Sequence, residues 1–161
     1  MANKDMPCGL RPHGRILKAQ EFVAGAAIYK GDPVKQGSDG QITASVTVPL
    51  IGVALNSAAA GGTVLVACDP SQEFIVQADS TDIDAQTDIF LNYDCLLGTP
   101  DTTYSISRAE LDSDTGAITA TLALKLLGIE ARPDNALGTN VDCRVMINNH
   151  SFSAGTGAVG V

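Results

Sequence analysis

The chain has 161 residues, a formal net charge of −8, 45% hydrophobic residues and only 4% aromatics, with no tryptophan. That length supports one domain with a core of its own, built here from small aliphatic side chains. It contains no run of about 18 apolar residues that could cross a membrane as a helix. Its opening residues lack the apolar centre of a secretion signal, so synthesis in the cytoplasm is expected.

Residues 1–22 read as an extended arm, because Pro7, Gly9, Pro12 and Gly14 break any helix. Residues 23–161 read as a single β domain. Short apolar runs at Ala26–Tyr29, Val34–Gln36, Gln41–Ala44, Leu50–Leu55, Thr63–Cys68 and Glu73–Ala78 are cut by Gly-Asp, Asp-Gly and Gly-Gly pairs. After the acidic connection 79–88, strands are expected at Ile89–Leu97 and Tyr104–Leu111, then a turn at Asp112–Gly116. The alternation of Ile118, Ala120, Leu122, Leu124 and Leu126 predicts another strand over Ile118–Leu127. Asn140–Asn148 is the last. The count is eight to ten short antiparallel strands, which implies a small β-barrel or β-sandwich preceded by the arm. The Gly-rich tail reads as loose or as a pairing segment for a neighbour.

Charge is distributed unevenly. Residues 1–36 carry Lys4, Arg11, Arg15, Lys18, Lys30 and Lys35 against Asp5, Glu21 and Asp32, a local net of +3, which leaves −11 on the remainder. A basic end on an acidic body suggests docking to an acidic partner. Nucleic acid is not expected: the body would repel phosphates, and residues 1–21 have no aromatic side chain to stack on bases.

The motifs that could carry chemistry have simpler readings. Residues 155–160 match GxGxxG, but no helix follows to receive a pyrophosphate. The Asp82-x-Asp84 and Asp112-x-Asp114-x-Gly116 patterns lack the glutamate of a calcium loop. His13 and His150 fit no metal spacing with the cysteines. Cys68, Cys95 and Cys143 sit in apolar runs and read as buried, reduced thiols, with Cys8 in the arm. No catalytic residue, cofactor or metal is therefore expected. The rival reading is a small trimeric hydrolase with a metal-dependent acidic site drawn from Asp79–Asp88.

Three groups of residues carry a family resemblance: the arm PCGLRPHGR, the series AIYKGDPVKQGSDGQIT and IGVALNSAAAGGTVLVA, and the ending LKLLGIEARPDNALGTNVDCRVMINNHSF. Together they resemble the capsid cement, or head decoration, proteins of tailed bacteriophages. The resemblance implies a β-rich body that trimerises on the outer capsid surface of the virion and clamps neighbouring major capsid protein subunits. On that reading Arg11, His13, Arg15 and Lys18 of the arm are the expected capsid contacts.

Overall fold

The computed structural model describes residues 3–79, 83–153, 157 and 159–161. Among them the fold is all-β, with eleven strands and one short 3-10 turn at Gln86–Asp88. The strands form two antiparallel sheets. One has six strands in the order β1 (Arg11–Pro12), β7 (Glu73–Gln77), β11 (Asp142–Ile147), β10 (Leu124–Ile129), β8 (Asn92–Leu97) and β9 (Ala109–Ala117). The other has five, in the order β2 (Ala19–Val23), β6 (Thr63–Ala67), β5 (Gly52–Ala54), β3 (Pro33–Gln36) and β4 (Ile42–Ala44).

Of the two architectures left open by the sequence, the arrangement is a sandwich and not a closed barrel. Each sheet curls far enough for a single parallel bridge to touch its two sides together. Ala78 meets Leu111 in the larger sheet and Ala24 meets Ile42 in the smaller. Neither contact extends into a ladder, so both sheets keep free edges.

The buried apolar side chains form two clusters, a larger one that the six-stranded sheet shares with Leu50, Val53 and Ala67 of the other, and a smaller one within the five-stranded sheet. Inward positions two residues apart supply the larger one: Phe74 and Val76, Tyr93 and Cys95, Ala109 and Leu111, Leu124 and Leu126, Cys143 and Val145. The smaller core holds Ile28, Val34, Ile42, Ile51, Val64, Val66 and Cys68. β5 is buried along its whole length because it serves both. Val53 joins the larger core and Ala54 the smaller. The cysteine expectation holds for Cys68, Cys95 and Cys143, which are free and buried, and burial pushes all three thiols up from the ordinary range.

Four sequence expectations change, and the first is that the strand expected over Tyr104–Leu111 begins only at Ala109. The expected turn at Asp112–Gly116 lies inside β9. Its polar groups are satisfied without a turn: Ser113 donates its N–H and hydroxyl to Asp79, and Asp94 N–H donates to Thr115 Oγ1 at 2.8 Å. Conversely, Ile118–Ala123 is not strand, and β10 begins at Leu124. Asparagine amides replace a ladder there. Asn92 Nδ2 donates to Thr119 O (2.9 Å), Asn148 Nδ2 to Ala120 O and Leu122 O (3.2 Å each), and Asn149 Nδ2 to Ala120 O (3.1 Å). Finally, Ala26–Tyr29 forms no strand. It contributes only an isolated bridge, Ile28 to Ala58. With that segment lost, β1 and β2, which fall largely in residues read as arm, bring the count to eleven, one beyond the expected eight to ten.

Candidate interaction surface

Residues 3–22 lie extended along both sheets as a strap, and they edge each of them. β1 pairs with β7, Arg11 opposite Ile75 and Pro12 opposite Phe74. β2 pairs with β6 from Ala19–Ala67 to Val23–Thr63. The apolar anchor between strap and body is Leu10, which is 1% exposed and belongs to the larger core. Beside it Gly9, at φ 70°, passes directly against Gly31, whose carbonyl accepts Leu10 N–H at 2.9 Å. A Cβ on Gly9 would lie 2.7 Å from that oxygen, so only glycine allows the crossing.

Two buried glutamines flanking β7 grip the strap's backbone. Gln77 Oε1 accepts Met6 N–H (2.8 Å), while its Nε2 donates to Lys4 O (2.9 Å) and Asn140 O (3.1 Å). Gln72 Oε1 accepts Leu17 N–H (2.8 Å), and its Nε2 donates to Glu73 O (3.0 Å). Asn3 adds a third tie, donating to Ala136 O (2.8 Å) and Thr139 O (2.9 Å). These side chains escape a sequence reading, although polar residues bracketing the apolar run Phe74–Val76 were a usable signal.

The four expected contact residues fall into two pairs. Arg11 reaches Asp142 at 3.6 Å, a carboxylate it shares with Arg132 at 2.8 Å. His13 Nδ1 lies 3.5 Å from Glu130. Both are therefore drawn toward acids on and beside β10 and β11. Arg15 and Lys18 stand farther along, past the bend at Gly14, and neither makes an ion pair among the described residues. Both are exposed. Lys18 Nζ lies 5.5 Å above the centre of the Phe152 ring, within cation–π range. Ile16 and Leu17, also exposed, complete a strip in which charge alternates with apolar surface.

β2 continues that strip as an open edge. Cys68 N–H donates to Lys18 O at 3.0 Å and Ala24 N–H to Gly62 O at 2.9 Å, so even-numbered residues face β6. In an antiparallel ladder the backbone groups of Ala19 and Glu21 then point away from the sheet, before the Ala24–Ile42 bridge closes that side.

Two described aspartates of the acidic stretch proposed for the hydrolase reading make structural bonds. Asp79 accepts from Ser113, and Asp88 Oδ2 accepts Ala85 N–H at 2.8 Å. Residues 80–82 lie outside the described residues, and Asp82 of the first aspartate motif lies with them. Among the described residues no group of three or more His, Cys, Asp or Glu side chains could hold a metal ion. His150 is buried, and its Nδ1 accepts Phe152 N–H at 3.0 Å. Burial lowers its pKa below the ordinary histidine value against the opposing pull of Asp69.

Residues 154–156 and 158, which include half of the GxGxxG match and part of the tail, also fall outside the described residues. The end of the chain is held: Gly160 N–H donates to Ile118 O at 2.9 Å and Lys125 Nζ to Val159 O at 3.0 Å. No helix of the described residues is long and apolar enough to cross a membrane. No family model matches this chain, and no curated protein matches it significantly.

Proposed function

We propose that the protein is a structural virion component that binds the outside of a phage capsid and clamps neighbouring major capsid protein subunits. The observation that carries this reading is the strip from Arg11 to Val23. It is extended, basic and apolar by turns, exposed, and continuous with an open strand edge. Its backbone is already held by Gln72 and two ladders. A partner that docks there does not have to order the strip, which removes part of the entropic cost of association. Addition of an extended shell segment to the β2 edge would supply directional hydrogen bonds, and Arg15 and Lys18 would select an acidic partner. Repetition over a symmetric shell converts modest contacts into large stabilisation through avidity.

The same reading makes the protein a homotrimer. Phe90, Ile118, Val159 and Val161 form exposed apolar surface near one another, which a second copy would cover. Light scattering that finds only monomer at high concentration would count against trimerisation.

Co-sedimentation with empty capsids of the encoding phage tests the main proposal. Removal of residues 1–18 is a poor probe, because it deletes Leu10 from the core and β1 from its sheet. The double variant Arg15→Glu, Lys18→Glu leaves those anchors in place. It should lose capsid binding and keep the thermal midpoint of the unaltered protein. Undiminished binding by that variant would sink the assignment of the strip.

A further inference from the structure

The underside of the strap bounds a groove of about 430 Å³. Its walls are mostly apolar, from Pro12 on the strap, Ala54 and Leu55 at the end of β5, and Ile106. Arg11 and Lys30 also line it, and no carboxylate does. In a chain with a net charge of −8 that is a local reversal of sign. Lys30 is exposed and forms no ion pair among the described residues. Past Cys8 and Ile106, which line both, the groove continues into a second depression of about 280 Å³ between Met6 and Tyr104. Asp101, the one carboxylate there, is already bound by Arg108 at 3.0 Å and by the Thr103 and Tyr104 N–H groups.

We propose that this groove binds an extended acidic peptide with large apolar side chains, the apolar groups seated against Leu55 and Ile106 and a carboxylate held by Lys30. The volume lies within the range of sites that bury small ligands, roughly 300–1,000 Å³. An apolar body is needed to cover the walls. The charge that accompanies it must be negative, because Arg11 is already paired with Asp142 and a further cation would enter beside Lys30, which has no ion-pair partner among the described residues. Burial of the anchor also removes water around Lys30, which strengthens attraction to a carboxylate. The proposal deepens the capsid-binding reading by naming the chemistry of the shell segment, and rests on that reading only for the peptide's source.

Cys8 reports occupancy directly. It borders the groove and is half-buried, whereas the other three thiols are buried, so iodoacetamide should modify Cys8 first. The probe is a capped hexapeptide of alternating aspartate and leucine. At saturation it should slow Cys8 alkylation about tenfold, since access to the sulfur limits reaction. Lys30→Glu should weaken the peptide by roughly tenfold, about 1.4 kcal/mol, without moving the thermal midpoint. Ile106→Ala should weaken it as well. Equal protection by a lysine–leucine analogue, by an aspartate–alanine analogue or by oligothymidylate would overturn the proposal, as would absence of protection by the probe. Capsid co-sedimentation separates the two readings. Weaker binding of Lys30→Glu supports both. Undiminished binding of that variant overturns the groove as the shell contact and leaves capsid binding intact. Peptide protection in a protein that never binds capsids keeps the groove and sinks the capsid reading.

Discussion

The two sheets solve the same problem with different material. The six-stranded sheet closes around large side chains, Phe74 and Tyr93 among them, with Leu111, Leu124 and Leu126. The five-stranded sheet has only Ala, Val, Ile and Cys in its buried cluster, and Phe22 packs against it half-buried. Larger side chains bury more apolar area per ordered residue, so the first core contributes more stabilisation. The second relies on close backbone approach. At Gly52 in β5, φ is 156° and a Cβ would overlap the Ala67 carbonyl oxygen and stand 2.7 Å from Val66 Cγ1. A small-residue core gains contact by bringing its strands together, and it loses tolerance to any added atom.

Substitutions can break that contrast or sharpen it. Phe74→Ala should have the largest effect, a loss of about 4 kcal/mol in urea unfolding, because it leaves a cavity in the larger core. If the sheets unfold as one unit, hydrogen exchange in this variant should speed up in β3 and β6 as well as in β8 to β11. Exchange confined to the six-stranded sheet would show two separate units. Next comes Gly52→Ala, which adds one methyl group and should still cost about 3 kcal/mol by overpacking. A cost near zero would remove the close-approach argument for the smaller core. Ile51→Val in that same core should cost only about 1 kcal/mol, since deletion of one methylene is the mildest truncation there.

The smallest expected effect is one of pH. His150 is neutral in the folded chain and its pKa lies below the unfolded value, so the unfolded state binds more protons as pH falls. The stability it contributes is present above about pH 6.5 and is lost progressively below that, down through the lowered folded-state pKa. His150→Gln should flatten this part of the stability profile relative to the unaltered chain. Glu110 and Asp112, raised chiefly by burial and then by neighbouring acids, act with the opposite sign: their protonation favours the folded state. The comparison between the two proteins cancels them, and an identical slope for both would remove His150 as its source.

Much of the fold was legible because two signals agreed. In Thr63–Ala67, Glu73–Gln77 and Asp142–Ile147, β-branched and apolar residues coincide with flanking turn residues, and strands lie where both occur. Where the signals conflicted, side-chain hydrogen bonds from distant residues decided. Asp112–Gly116 has turn chemistry but becomes strand because Asp79 satisfies Ser113. Ile118–Ala123 has strand alternation but remains irregular because asparagines at 92, 148 and 149 take its carbonyls. No local pattern encodes such partners. The site was half legible for the same reason. The cations of the strip are visible in the sequence, but its attachment through Gln72, that of the residues before it through Gln77, and the groove beside Lys30 exist only once β7 and β5 are in place.

The strap's partners have a consequence for the nascent chain. Arg11 pairs with Ile75 and Ala19 with Ala67, so the strap leaves the ribosome before these later strands and must wait for some of them before it can seat. Until then the basic strip is an open polymer beside a growing acidic chain. Contacts so distant in sequence close slowly. A polypeptide released before Glu73 would lack β7 altogether, and with it the edge that holds β1. Completion of the seventh strand thus acts as a checkpoint in synthesis, since only chains that pass it can present the strip in its seated form.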